Sequence, residues 1–566
     1  MKKYITYSLT VALAIICGTG AWAQEDTLSM DVTFTGTQEL FLKNAAKQQA
    51  WPKIKESVVE IPSIKYTLIP NKQQVSIQPK LIEPAKVLVE PKLTKLYKGH
   101  VRAGFGLYTT PLLDLHYMDG RSRNGVWGVN YYHLSSAGGV ALEDSIPDSF
   151  STNSVRLWGR KFLKKHAIEG AFEWDRDVVN YYGFDPYLNW DADISDTKQR
   201  FNNIQGDLQL ISYHRDSSKV NYHGGIKFRN FRDLDDGVEN NVDVSTHLRT
   251  TKGTETYHGD ISINYNDYTF TNLNDSTEGN QDQVLIQVAP QIQTRIGNFM
   301  VNVGAGIWID AQSERPFHFY PLAEASYSLL DDLFIPYVGV QGRVEQNTYR
   351  SITDDNPFVL NDIEIKNTNR RLELFGGIRG TLSSTTSFNA RLSTTRFEDF
   401  MYFVNDSTYS PGSRFFTLYD DLTVFNLRGE VSINNGEKLH MQLRGDYFLY
   451  STGEEEHPWY QPTTRVTVTT SYNLADKLVL NLDIFTEGQR KAKSLVQHQD
   501  GTLETDGSYT VDLKGYADVN LGVEYRYSKR LSAWVRFNNM FAARYQQWSP
   551  YNVQRFNAML GASYSF

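Results

Sequence analysis

The chain holds one cysteine, Cys17, in 566 residues. That excludes a disulfide framework and any cysteine-ligated metal site. No stretch approaches 18 consecutive apolar residues, so no helical membrane span is expected. The 12 histidines are scattered without an H-E-x-x-H or comparable spacing, and there is no G-x-S-x-G or phosphate-cradling glycine loop. These absences argue against an enzyme, and no catalytic, cofactor-binding or metal-ligating residue is assigned. The net charge of −8 argues against nucleic acid as a partner.

The first residues read as an address. Lys2 and Lys3 precede an apolar run from Leu9 to Cys17, and Ala21-Trp22-Ala23 offers an A-x-A site before Gln24. Residues 1–23 are therefore expected to be a signal peptide. Ile16 stands where a lipoprotein site would need a small residue, so a mature chain without cysteine or lipid anchor is expected. Residues 24–98 lack sustained alternation. A short helix is expected around Glu39 to Gln49, then prolines at 62, 70, 79, 84 and 91, with seven lysines from Lys65 to Lys98 against Glu83 and Glu90. Proline removes ladder donors and favours extended chain. This short Lys/Pro-rich N-terminal periplasmic segment reads either as a strap partly inside a barrel mouth or as a disordered linker.

What is abundant is aromatic: 34 tyrosines, 30 phenylalanines and 10 tryptophans, with a mean hydropathy of only −0.45. A transmembrane barrel has this character, because only alternate residues touch lipid. From Gly99 a period of two sets in and recurs to the end. Val101, Ala103, Phe105 and Leu107 alternate with Arg102, Gly104 and Gly106; Phe556, Ala558, Leu560, Ala562, Tyr564 and Phe566 alternate with Asn557, Met559, Gly561, Ser563 and Ser565. Short connections such as Lys164-Lys165, Gly297-Asn298 and Ala475-Asp476 alternate with long acidic ones such as 179–201, 347–368, 451–462 and 491–515. Short periplasmic turns alternating with long outer loops give 22 strands over 99–566, an even number with both ends periplasmic. The fold expected is all-β: a 22-stranded antiparallel transmembrane β-barrel. Pro290, Pro321 and Pro336 fall inside assigned strands and should mark bulges or strand ends.

The lumen-facing positions carry mixed charge. Arg343/Glu345, Arg371/Glu373, Arg428/Glu430 and Arg444/Asp446 are pairs two residues apart, expected to form a lumenal charge ladder. A substrate or plug-like surface is the functional alternative. Tyr447, Tyr525, Tyr527 and Tyr564 suit an interfacial girdle. Acidic loop clusters such as Asp233-Leu234-Asp235-Asp236 and Glu454-Glu455-Glu456 read as solvated surface, because none has the full spacing of a calcium loop.

The stretch from Gly515 to Phe566 carries a family resemblance. Asn538-Asn539-Met540-Phe541, Arg544-Tyr545, Trp548, Tyr551 and the closing aromatic strand resemble the last strands of TonB-dependent receptor barrels from the Bacteroidota. The resemblance implies a 22-stranded barrel in the cell outer membrane and transport or uptake of a ligand. It also implies that Tyr564 and Phe566 form the C-terminal signal read by the barrel assembly machinery. Outer-membrane lipid and other outer-membrane or periplasmic proteins are the remaining partners expected. The departure from the family is at the other end, where 24–98 is too short for its plug domain. The alternative is therefore a plugless structural or assembly subunit of a larger outer-membrane complex, and a lumen this wide needs an occluding element.

Overall fold

A computed structural model describes residues 97–120, 122–140, 147–183, 197–272, 276–405, 414–494 and 509–566. The signal peptide expected at 1–23, the helix expected at 39–49 and the Lys/Pro-rich segment up to residue 96 lie outside the described residues.

The wall begins with β1 (Gly99–Gly106), β2 (Thr110–Asp119), β3 (Gly125–Ser136), β4 (Phe150–Phe162), β5 (His166–Asn180) and β6 (Lys198–Ser212). It continues with β7 (Asn221–Arg232), β8 (Val238–Lys252), β9 (Glu255–Thr271), β10 (Glu278–Ile296), β11 (Phe299–Asp310) and β12 (Phe317–Tyr327). Then come β13 (Ile335–Glu345), β14 (Thr368–Ser383), β15 (Thr386–Asn405), β16 (Phe415–Asn435), β17 (Leu439–Thr452), β18 (Thr464–Leu474) and β19 (Leu478–Glu487). A side hairpin of β20 (Arg490–Ser494) and β21 (Tyr509–Leu513) leads to β22 (Tyr516–Arg526) and β23 (Leu531–Asn538). A smaller hairpin, β24 (Gln546–Trp548) and β25 (Tyr551–Asn552), precedes the last wall strand, β26 (Asn557–Ser565). Setting the two hairpins aside, 22 antiparallel strands form a closed ring, as the alternation predicts.

Closure is made by β1 and β26, in register from His100↔Ser565 to Gly106↔Met559. The Lys98 and Gly99 amides both donate to the Phe566 carbonyl, at 2.8 and 3.0 Å, and Phe566 N–H donates to Gly99 at 2.9 Å. Backbone groups facing lipid must be paired within the protein, and a ring without edges achieves this. The outward face is apolar, with Leu560 69% and Val338 62% exposed, whereas Met559 beside Leu560 is 4% exposed toward the lumen. The seam has its own lumenal lock. Trp534 of β23 is buried over two glycines, one on each closing strand: a Cβ at Gly561 would meet its Cζ2 at 2.4 Å and one at Gly104 its Cη2 at 2.4 Å. The Arg102 guanidinium stacks on the same indole at 4.4 Å. An aromatic thus covers strand glycines, supplying the contact their missing side chains cannot.

The short turns are tight. Ala475 and Asp476 both have positive φ, 53° and 56°, which suits the strand twist at a two-residue hairpin. The first hairpin turns over Leu107–Thr109, with Thr110 already in β2. Pro336 stands one residue into β13, a strand end. Pro290 keeps its register with β9, yet β11 pairs with β10 only up to Val288 and again from Gln291. Pro321 pairs with β11, while β12 meets β13 only over Ala323–Ser326. Each of the latter two lacks the N–H that a second neighbour needs, so it interrupts one ladder without a bulge. We expect Trp534→Ala to uncover both glycines and cost roughly 3–5 kcal/mol, read as a lower temperature for loss of the compact, heat-modifiable form on gels; an unchanged temperature would refute the lock.

Candidate functional site

Twenty-two strands at about 4.8 Å spacing and about 40° tilt enclose a ring on the order of 40 Å across. No side chain spans that. Contacts between distant loops therefore require loops folded inward over the mouth, and they are abundant at the long-loop end. One buried cluster unites Tyr181 (β5–β6 loop), Tyr268 (β9), Tyr349 and Phe358 (β13–β14 loop), Phe415 (β16), Trp459 and Tyr460 (β17–β18 loop) and Tyr551 (β25). The result is a cap with an aromatic core.

Its centre is the 346–367 connection. Asn347 closes the base, its side-chain amide donating to the Lys366 carbonyl at 2.7 Å. The chain then enters helix α1 (Tyr349–Asp355), capped by Thr348, whose hydroxyl accepts from Ser351 N–H at 3.1 Å while the Thr348 amide donates to the Ser351 hydroxyl at 2.9 Å. The reciprocal pair satisfies two donors that a helix start leaves open. Tyr349 N–H donates at 2.6 Å to Glu239, a fully buried carboxylate on β8 that Arg229 of β7 neutralises at 2.8 Å. The first turn is thus tied to wall strands six positions away in the ring.

Beyond the helix the segment has no strand of its own and borrows partners. Gln281 and Gln283 of β10 act as a surrogate strand: the Gln281 amide donates to Ile363 O at 2.7 Å and accepts from Ile365 N–H at 2.9 Å, and Gln283 donates to Ile365 O at 3.2 Å. On the other flank Leu360 N–H donates to Phe415 O at 2.8 Å, and Thr417 donates to Glu364 O at 2.7 Å. Asn361 donates to the carbonyls of Asp235 and Thr271 at 2.6 and 3.0 Å, and its own carbonyl accepts from Tyr268. Buried backbone groups are costly unless paired, and these pairs let an irregular segment be buried.

Aromatic stacking joins the halves. Phe358 lies face to face with Tyr551 at 3.4 Å between ring centroids, and Tyr182 meets Tyr551 edge-on at 4.9 Å. Tyr268 stacks on Tyr349 at 4.6 Å. Arg414, ahead of β16, reaches Asp235 in the β7–β8 loop at 2.9 Å and covers the Tyr181 ring at 4.4 Å. Strands β7 and β15 stand eight positions apart in the ring, so this ion pair spans the mouth. Tyr349 donates to Asp233 at 2.6 Å. Burial, with nearby Asp235 adding to it, pushes the Asp233 carboxyl up to about 7 despite that hydrogen bond. Burial moves Asp354 and Asp355 of α1 in the same direction.

Below the cap the lumen is polar. Arg343 donates to Glu345 at 2.9 Å. The expected Arg371/Glu373 pair does not form. A bulge carries the register from Arg370↔Phe397 to Leu372↔Arg396, so Arg371 is the extra residue and drops out of the alternation. Arg371 bonds Glu398 at 2.7 Å, and Arg370 takes its place, 3.1 Å from Glu373 and 2.7 Å from Glu345. Arg391 completes the group on Glu373 at 2.5 Å. In the second group Arg428 and Arg444 both reach Asp446 at 2.7 Å, while Glu430 accepts from Gln442 at 2.9 Å rather than pairing with Arg428. A recess of about 640 Å³ opens in the wall between β6 and β10, lined by Asp207, Lys227, Asp243, His247 and Asp260 among others. His116 is held by Asp114 at 2.7 Å and Asn130 at 3.0 Å. Tyr564 and Phe566 are exposed on the outward face at the short-turn rim, their rings 6.2 Å apart. Among the described residues no group of three or more His, Cys, Asp or Glu is placed to hold a metal ion.

No protein-family model matches the chain, and no curated protein sequence does. Solved structures do match. The ferripyoverdine receptor of the outer membrane of Pseudomonas aeruginosa is similar with a TM-score of 0.62 at 13% identity, over 84% of this chain and 72% of that one. The siderophore receptor PirA from Acinetobacter baumannii gives 0.63 at 11%, over 84% and 81%. The ferric-catecholate import receptor Fiu from K12 E. coli gives 0.60 at 10%, over 84% and 82%. The barrel has the receptor-barrel fold. At these identities the likeness is one of fold.

The cap escapes a reading by alternation, because its residues come from many loops and share no period. The apolar run Phe358-Val359-Leu360 and the Ile363/Ile365 pair, inside a stretch read as solvated loop, were the available signal. The acids of Asp233-Leu234-Asp235-Asp236 are likewise in part structural, Asp233 and Asp235 each bonding across loops. Between about pH 4 and 7 the closed cap holds a proton on Asp233 that an opened loop has released, so closure weakens as pH rises through that window and levels off above it. We expect limited proteolysis at 233–237 and 349–361 to be slower at pH 5 than at pH 8, and Asp233→Asn to flatten the difference; equal rates in the wild type would refute the assignment.

Proposed function

We propose that the chain is an outer-membrane transport barrel of TonB-dependent-receptor type, exported by its signal peptide, whose outer entrance is closed by its own loops. The observation that carries this reading is the cap itself: a closed 22-stranded wall of receptor fold with a built lid at the long-loop end. The short-turn end, where Phe566 meets Gly99, faces the periplasm in this reading, and the long loops meet the exterior. Ligand is taken up from outside, and the iron–siderophore complexes named for the similar receptors are the first class to try.

One observation favours the second reading, a plugless subunit of a larger outer-membrane complex. The cap interior is a dry aromatic core cross-tied by ion pairs, not a polar cup shaped for a small ligand. The two readings separate in one series of measurements. In planar bilayers the wild type should conduct little, and the double variant Phe358→Ala/Tyr551→Ala should raise conductance at least tenfold. A wild type that conducts freely would sink the lid. Trp459 and Trp548 lie in the cap and report on it, so ferric siderophores should shift their fluorescence under the transport reading. No response to any of a broad ligand panel, with a partner protein retained through mild-detergent purification, would favour the subunit.

A further inference from the structure

The short-turn rim is uneven in charge. Passing along the ring through the closure, the β22–β23, β2–β3, β4–β5 and β6–β7 turns follow one another. They carry Lys529, Arg530, Arg123, Lys164, Lys165, Arg215 and Lys219, all exposed, against one acid, Asp216. Ion pairs at this part of the rim are Lys98–Asp119 and Arg526–Glu524; the seven cations make none among the described residues. Further round the ring the β12–β13 turn (328–334) carries Asp331 and Asp332 and no cation.

The cationic arc coincides with two other features. Exposed rings on the lipid face run beside it: Trp127, Tyr527 and Phe566. Arg530 lies over the Tyr97 ring at 5.7 Å and bonds the Tyr564 hydroxyl, holding its charge at the level of that collar. The arc also brackets the lowest part of the wall. Strands β1, β23 and β26 have 8, 8 and 9 residues, against 20 and 21 for β15 and β16. Eight tilted residues cover only about 20 Å, less than the usual apolar band of about 25 Å, so lipid must thin at the seam and bring its headgroups to the rim.

We propose that this arc binds the phosphate headgroups of anionic phospholipid in the leaflet facing the short turns, a partial annulus around the closing seam. The inference rests on the outer-membrane reading above. Successive short turns stand about 12 Å apart, so the arc meets several headgroups at once, and the doublets Lys164-Lys165 and Lys529-Arg530 each present two cations to one phosphodiester. Lysine and arginine stems lie along the apolar collar while their charged ends reach the headgroup layer. The cations ride on short turns continuous with lipid-facing rings, which favours a lipid surface over an acidic protein.

The test uses the full chain, purified in detergent and titrated with phosphatidylglycerol or phosphatidylcholine, with bound lipid counted by native mass spectrometry. The wild type should retain phosphatidylglycerol at least tenfold better, and K164Q/K165Q/K529Q/R530Q should lose that preference, while D331N/D332N keeps it. Equal retention of the two lipids by the wild type, or an unchanged preference in the quadruple variant, overturns the proposal. So does a variant with normal lipid retention that has lost an acidic periplasmic protein. Should the variant not fold, salt decides on the wild type: raising it must abolish the preference, because exposed charge is screened. Failure of the wild type itself to give a heat-modifiable barrel in bilayers counts against the outer-membrane reading instead, and the two failures are thus distinct.

Discussion

Every feature of this protein follows from the pairing of backbone N–H and C=O groups in a medium that offers none. A sheet in lipid has no tolerable edge, so the last strand must find the first. The β1–β26 ladder and the carbonyl of Phe566, which accepts from both Lys98 and Gly99, meet that demand. Closing at 22 strands sets the width, and the width creates the second constraint: a wide polar lumen with a mouth that no single loop covers. The cap answers it with the same rule. Its central segment has only a single backbone bridge to the wall, at Phe415, so glutamine and threonine side chains from the wall and its own Asn361 satisfy the rest.

Charge inside the ring obeys a related rule. Two carboxylates facing the lumen are bracketed by arginines, Glu373 between Arg370 and Arg391 and Asp446 between Arg428 and Arg444, while Glu169, Glu173 and Glu324 each meet one. Shared partners tie neighbouring strands laterally, so these groups brace the wall beneath the cap. Glu239 extends the pattern upward, taking a helix N–H in place of a second arginine.

The wall was legible in the sequence because its physics is periodic. Alternation over Val101–Leu107 and Phe556–Phe566, and the contrast between turns such as Gly297-Asn298 and loops such as 347–368, follow from strand geometry alone. What resisted was everything that breaks the period. The bulge at Arg371 is a single inserted residue with no compositional mark, and it exchanged the roles of Arg370 and Arg371. The hairpins β20–β21 and β24–β25 lie inside stretches whose composition resembles any long loop. The cap needs Tyr181, Phe358 and Tyr551 to meet from three loops, a convergence that no local window contains.

The construction of the cap limits how it can open. Burying one large aromatic side chain is worth about 1.5–3 kcal/mol, so unfolding the whole cluster would cost tens of kcal/mol. A ligand bound at micromolar affinity supplies about 8 kcal/mol, and only the difference between its affinities for the open and closed forms does any opening. Opening must therefore leave most of the core intact. The contact of Phe358 and Tyr182 with Tyr551 is the natural parting line, because it joins the β13–β14 and β5–β6 loops to the β23–β26 connection chiefly through rings, with hydrogen bonds from Tyr182 to Asn552 and between Tyr551 and Gly183. On the other side α1 is held to β7 and β8 by the Glu239 and Asp233 bonds, which makes that side the hinge. A cap hinged at its buried carboxylates and parted at its ring stack must also release the bonds of 358–365 to Phe415, Thr417, Gln281 and Gln283, so those contacts set the cost of opening.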